Sequence, residues 1–103
     1  MRTIPVFCII FVEKYQMTRF EKLMLKIISG TSDNNVDFEQ LKKILINLGF
    51  TERIKGNHHI FFRDDIEDII NIQSKKGLAK PYQVKQIRNI IVKYKLADDE
   101  KQI

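Results

Sequence analysis

Phe50-Thr51-Glu52-Arg53-Ile54-Lys55-Gly56-Asn57-His58-His59-Ile60-Phe61-Phe62-Arg63-Asp64-Asp65-Ile66 decides the fold of this chain. Gly56-Asn57 and Asp64-Asp65 are turn dipeptides, because Gly and Asn tolerate positive φ and Asp side chains bond nearby backbone. The segments on either side are rich in Ile and Phe, which favour a pleated, half-buried surface. The spacing predicts strands over residues 50–55, 58–63 and 66–73, with Ile66, Ile70 and Ile72 on one parity and Ile69 on the other. Three strands joined by two tight turns form an antiparallel meander.

Outward from this stretch the apolar period lengthens. Thr18-Arg19-Phe20-Glu21 has the form of a capping box, a hydroxyl followed three residues later by a carboxylate. Phe20, Leu23, Met24, Ile27 and Ile28 then recur at helical spacing up to Gly30, a C-cap residue. Residues 31–35 are turn-like. Asp37 repeats the capping logic, and Leu41, Ile44, Leu45 and Leu48 make one apolar stripe that ends at Gly49-Phe50. Downstream, residues 74–80 read as a polar loop containing Gly77. Pro81 suits the first position of a helix that puts Val84, Ile87, Ile91 and Tyr94 on one face and Lys85, Arg88 and Lys95 elsewhere. The order is α-α-β-β-β-α. A sheet this small must bury one face under helices, and its other face stays open to solvent. The fold class is therefore α+β.

The length of 103 residues bounds the chain to one domain and one modest core. Apolar residues make up 44% and charged residues 30%, a globular composition and not a disordered one. Eighteen Lys and Arg against 13 Asp and Glu give +5, with a pI near 9.4. Between residues 74 and 96 the charge is all of one sign: Lys75, Lys76, Lys80, Lys85, Arg88, Lys93 and Lys95, with no acid. Such a run is either a solvated helix face or the footprint of a polyanion. The single cysteine, Cys8, can form no internal disulfide, which fits a reducing, cytoplasmic setting. No stretch reaches the ~18 apolar residues of a membrane span. Ile4-Pro5-Val6-Phe7-Cys8-Ile9-Ile10-Phe11-Val12 reads as an export signal, as a packed strand, or as translated sequence upstream of a start at Met17. The third reading is favoured, because a well-formed helix opens just after Met17. The organisation is then an apolar extension 1–16, a domain 17–97 and a polar tail 98–103.

Chemistry has few places to reside. His58 and His59 are the two histidines. Neighbours on a strand point to opposite faces, so they do not ligate one metal together, and no acid stands at a helpful spacing. Neither a Ser/His/Asp arrangement nor a glycine-rich phosphate cradle of known spacing occurs. No metal and no cofactor is expected. What remains is a histidine beside a glycine turn with Lys55 and Arg63 nearby. An imidazole with a pKa near ~6.5 exchanges protons at neutral pH. It can help a ribose 2′-hydroxyl attack its own phosphate while a cation neutralises the phosphate. A polar residue merely half-exposed on a strand edge is the bland alternative.

Lys55-Gly56-Asn57-His58-His59-Ile60-Phe61, placed after a helix ending Leu48-Gly49-Phe50, resembles the HicA family of toxins, as does the closing Lys80-Pro81-Tyr82-Gln83-Val84-Lys85-Gln86-Ile87-Arg88-Asn89. The resemblance runs from about Met17 to Leu96. It implies a small mRNA interferase with a double-stranded-RNA-binding-like fold and a HicB-type antitoxin as partner. The family's catalytic histidine is the first after the glycine and small polar residue, which is His58 here. Asn57 stands where serine is usual, and the helix before Asp37 is extra relative to the shortest members. Alternation alone groups His58 with Ile60 and Phe62, which looks like the buried parity, and so favours His59. The resemblance favours His58, at a turn where alternation has barely begun; a bulge after Gly56 would also shift the phase. The implied RNA contacts are Lys55, Gly56, Asn57, His59, Lys80, Lys85 and Arg88. Two rivals stand beside the nuclease: an RNA-binding module that does not cut, and a basic subunit that only docks an acidic protein.

Overall fold

The computed structural model describes residues 18–98. The extension 1–16 and all but the first residue of the tail 98–103 lie outside the described residues. Helix α1 spans Arg19–Ser29, α2 spans Phe38–Asn47, and strands β1 (Thr51–Lys55), β2 (His58–Arg63) and β3 (Ile66–Ile72) follow. Two short strands, β4 (Ser74–Lys75) and β5 (Leu78–Ala79), precede helix α3 (Pro81–Lys93). The main sheet is antiparallel in the order β1-β2-β3. From α2 to α3 this is the α-β-β-β-α layout of double-stranded-RNA-binding domains, with α1 added ahead.

Local signals set the helix ends. Thr18 N–H donates to Glu21 Oε1 at 2.9 Å, and Glu21 N–H returns a bond to Thr18 Oγ1 at 3.1 Å, completing the capping box. Asp37 Oδ2 accepts from Gln40 N–H at 3.0 Å. The C-terminus of α2 closes as a Schellman motif: Gly49 N–H donates to Ile46 O and Phe50 N–H to Leu45 O, both at 3.0 Å. Gly49 has φ +93°, which a side chain would strain. Phe50 thus belongs to the cap and not to β1.

Residues 74–79 are not a loop but a second hairpin. Lys76 (φ 55°) and Gly77 (φ 82°) are both left-handed, as a type I′ turn requires. Phe38 N–H donates to Gly77 O at 3.0 Å and Ala79 N–H to Val36 O at 2.9 Å, pinning this hairpin to the start of α2.

One core lies between the helices and one face of the sheet. Ile27 of α1, Phe38, Leu41, Ile44 and Leu45 of α2, Phe61 of β2, Ile66, Ile70 and Ile72 of β3, and Val84, Ile87 and Ile91 of α3 are all buried in it. The expected parity of β2 is reversed. Phe61 is 0% exposed, whereas Ile60 and Phe62 are only partly covered, on the open face. Ile60-Phe61-Phe62 has no alternation to read, so the helices choose the phase, and they lie on the side of His59, Phe61 and Arg63. No bulge follows Gly56, since pairing runs unbroken from Lys55↔His58 to Thr51↔Phe62. The irregularity falls instead between β2 and β3, where Phe61↔Ile70 gives way to Arg63↔Ile66.

Phe61→Ala is expected to lower the unfolding free energy by about 3–5 kcal/mol, read from the guanidinium midpoint. Val92→Ala, at a position 62% exposed, is expected to change it by less than about 0.5 kcal/mol. Equal midpoints for the two variants would place Phe61 outside the core.

Candidate functional site

The ladder sets the two imidazoles on opposite faces of β2. His59 points toward the helices. Its Nδ1 lies 2.7 Å from Glu52 Oε2, its ring meets Phe38 edge-on at 5.1 Å, and its side chain is 17% exposed. Lys42 Nζ stands 3.9 Å from the same Glu52 oxygen. His59 therefore sits in a polar pocket at the rim of the core, where a part-buried carboxylate needs a partner.

His58 projects from the open face and is exposed. It opens β2 immediately after the Gly56-Asn57 turn. Gly56 has φ +62°, and Asn57 is not left-handed, so glycine takes the first central position as in a type II′ turn. A Cβ added at Gly56 would meet nothing within 4 Å, so conformation and not crowding calls for glycine there. Lys55 pairs directly across from His58, so their side chains share the open face.

A network surrounds the His58 ring. Nδ1 is 3.1 Å from Asn71 Oδ1 and Nε2 is 3.2 Å from Gln73 Nε2. The Gln73 amide also donates to Asn57 Oδ1 at 3.3 Å, and its Oε1 accepts from Lys80 Nζ at 3.2 Å. The structure thus gathers Lys55, Gly56, Asn57, His58 and Lys80 at one end of the sheet. It adds Asn71 and Gln73, which sequence reasoning missed. Asn71 was visible as the polar position between Ile70 and Ile72 on the outward parity. Gln73 was not, because its place opposite His58 depends on the irregular β2–β3 register. Arg63↔Ile66 and Phe61↔Ile70 enclose two steps on β2 but four on β3. That slide of two residues keeps each face but changes the facing partner.

The other expected contacts lie elsewhere. Lys85 borders a shallow groove of about 350 Å³ along α3, lined also by Asp68, Tyr82, Asn89 and Lys93. In that groove Lys93 Nζ is 3.2 Å from Asp68 Oδ2, and this hydrogen bond holds the ammonium pKa above its ordinary value. Arg88 is engaged in packing: its guanidinium donates to Asp33 Oδ1 at 2.9 Å and to Ile27 O at 3.2 Å, at the end of α1. Arg63 does the same for α2, donating to Leu48 O at 2.6 Å while chelating Asp65. The hydrogen bond from Arg63 holds the Asp65 carboxyl below its ordinary value. Among the described residues no three His, Cys, Asp or Glu side chains converge as metal ligands, and no helix is long and apolar enough to cross a membrane.

The family model of the HicA toxin of bacterial toxin–antitoxin systems matches residues 38–97, from the first residue of α2 to beyond α3. Comparison with curated proteins and with solved structures gives no match.

Replacing Gly56 by Ala is expected to cost about 1–2 kcal/mol of stability, the ordinary penalty of an L-residue held at positive φ. Gly56→Asn should cost less, because Asn follows Gly among the residues that primed turns accept at positive φ. Urea denaturation of both variants checks the order; an Ala variant as stable as the parent would mean that the turn adopts another form.

Proposed function

The chain belongs to the HicA family of toxins of bacterial toxin–antitoxin systems, and from that premise we propose that it is an endoribonuclease that cleaves mRNA in the cytoplasm with His58 as general acid/base. The observation that carries this is the exposed His58 ring, between Lys55 and the Gln73–Lys80 pair, on the open face of the sheet. His59 lies under α2 with its Nδ1 committed to Glu52.

The reaction follows from that placement. A 2′-hydroxyl seated at His58 gives its proton to the ring as its oxygen bonds to the adjacent phosphorus. The phosphorus–O5′ bond breaks, the 5′-oxygen leaves with a proton drawn from water, and a 2′,3′-cyclic phosphate remains. Lys55 and Lys80 neutralise charge that builds on the phosphate oxygens. Asn57 and the Gly56 backbone offer hydrogen bonds at the turn, and Lys85 extends positive charge along α3 for flanking phosphates. Arg88 and His59 are left out of the RNA contacts, because their bonds to Asp33 and Glu52 hold the fold. The domain carrying this activity runs over residues 17–97. The toxin family implies a cognate antitoxin, and an acidic HicB-type protein covering His58 and the nearby lysines would inhibit it.

The test is incubation of the full chain and of its His58→Ala form with labelled mRNA. Cutting is expected to fall by about 10²–10⁴-fold, the ordinary share of general acid–base assistance, with RNA binding retained. Lys55→Ala is expected to weaken binding across sequences and to lower the salt slope by about 1. Undiminished cutting by His58→Ala overturns the assignment. Equal binding with no cutting by either protein identifies a binding module, and no binding at low salt identifies a subunit that docks only protein.

A further inference from the structure

We propose that Lys80, Gln73 and Asn71 form a positioning relay that fixes His58 as its Nδ1–H tautomer, leaving Nε2 as the proton-accepting nitrogen. The relay itself is a property of the folded chain. Its catalytic meaning rests on the role proposed for His58.

The assignment follows from one group that has no choice. A lysine ammonium has three donors and no acceptor. The atom of Gln73 facing Lys80 Nζ at 3.2 Å is therefore its oxygen. The amide nitrogen of Gln73 then faces the other way, toward Asn57 Oδ1 at 3.3 Å and His58 Nε2 at 3.2 Å. Both of its N–H groups are used, one on each acceptor. A neutral imidazole has one donor and one acceptor nitrogen. Nε2 faces a donor, so it accepts, and the ring proton sits on Nδ1. That proton has its own acceptor, Asn71 Oδ1, at 3.1 Å. Every polar atom in the chain from Lys80 to Asn71 has one consistent role, and reversing any one of them places donor against donor or acceptor against acceptor.

The Nδ1–H form is the minor tautomer of a free histidine side chain in water. Here it is selected at both ring nitrogens. The relay also explains why four separate elements meet at this spot: the Gly56-Asn57 turn, β2, the end of β3 and the residue just before α3. An incoming 2′-hydroxyl takes the place of the Gln73 amide on Nε2, so the basic nitrogen is held ready and shielded until RNA arrives. Asn71 stays bonded to Nδ1 throughout and keeps the ring from turning. Asn71 and Gln73 are thus positioning residues, acting through His58.

Nitrogen-15 NMR of the imidazole rings in the full chain, with His58→Ala to assign the signals, reads the tautomer without RNA. At about two pH units above the ordinary histidine value of ~6.5, the parent protein is expected to show Nδ1–H at His58. Asn71→Leu, at an exposed position, should move the ring toward Nε2–H and reduce cutting about tenfold with RNA binding unchanged. Asn71→Asp keeps the acceptor and should restore both the tautomer and most of the cutting. Gln73→Glu puts a carboxylate against Nε2 and should drive the ring to Nε2–H, moving the acid limb of the pH–rate profile upward. An Nε2–H ring in the parent, or a ring indifferent to both Asn71→Leu and Gln73→Glu, overturns the relay. Loss of the nuclease reading is a separate result, seen as full cutting by His58→Ala or as no cutting by the parent, and leaves the NMR outcome untouched.

Discussion

Burial of Phe61 at the centre of β2 is the constraint on which the rest depends. Strand side chains alternate strictly, so the face taken by one residue fixes the face of all the others. With Phe61 sealed in the core, His59 must lie under the helices and His58 must stand in solvent. A slip of one residue would exchange them, and it would also bring Phe61 out into water. Exposing a large apolar side chain costs roughly 1.5–3 kcal/mol. A single hydrogen bond to an exposed imidazole contributes on the order of 1 kcal/mol. The core therefore sets the phase, and the exposed position of His58 follows from it.

Much of this was legible in the sequence, wherever a signal was local. The capping box at Thr18, the stripe of α2, the Gly49-Phe50 stop and the two tight turns each depend on residues a few positions apart. The phase of β2 was illegible for a definite reason. Ile60, Phe61 and Phe62 are all apolar, so neither parity stands out, and the covering helices decide. The β4–β5 hairpin was missed because Ser74, Lys75 and Lys76 carry no strand propensity. Its strands form because the turn closes at Lys76-Gly77 and because Val36 and Phe38 supply backbone partners. Asn71 and Gln73 reach His58 across 13 and 15 residues, through a register that slides midway. No pattern within one strand encodes that slide.

The run of positive charge also changes meaning once its members are placed. Charge in sequence suggested a continuous footprint. In space it is divided. Arg88 clasps the end of α1 through Asp33 and Ile27, Lys93 is matched by Asp68, and Lys80 is part of the His58 network. The two arginines best placed in the fold, Arg63 and Arg88, each donate to a carbonyl at the C-terminal end of a helix, where the helix dipole favours a cation. The planar guanidinium suits that task, because one fork can hold a carbonyl and a carboxylate together. The family match begins at Phe38 and leaves α1 outside it. Arg88, within the matched region, is thus spent on seating the added helix, which is why net charge overstates the surface open to a polyanion.

The residues that hold the fold and those around His58 are consequently different sets. Core side chains from three helices and the inner face of the sheet fix the backbone of β2. The ring of His58, by contrast, rests on hydrogen bonds among side chains that water can reach. Each such bond is worth on the order of 1 kcal/mol, about a factor of five in a local equilibrium. That is too little to decide whether the chain folds. It is enough to decide which nitrogen of an imidazole carries a proton and how often the ring keeps one orientation. Asn71, Gln73 and Lys80 therefore bear on the His58 ring and its hydrogen bonds, whereas Phe61 and Ile70 bear on the core first. The short turn at Gly56 joins the two sets, because it holds the first residue of a rigid strand at the edge of the solvent. The general acid/base role proposed for His58 calls for that combination: a backbone that does not move and a side chain whose partners can be exchanged for substrate.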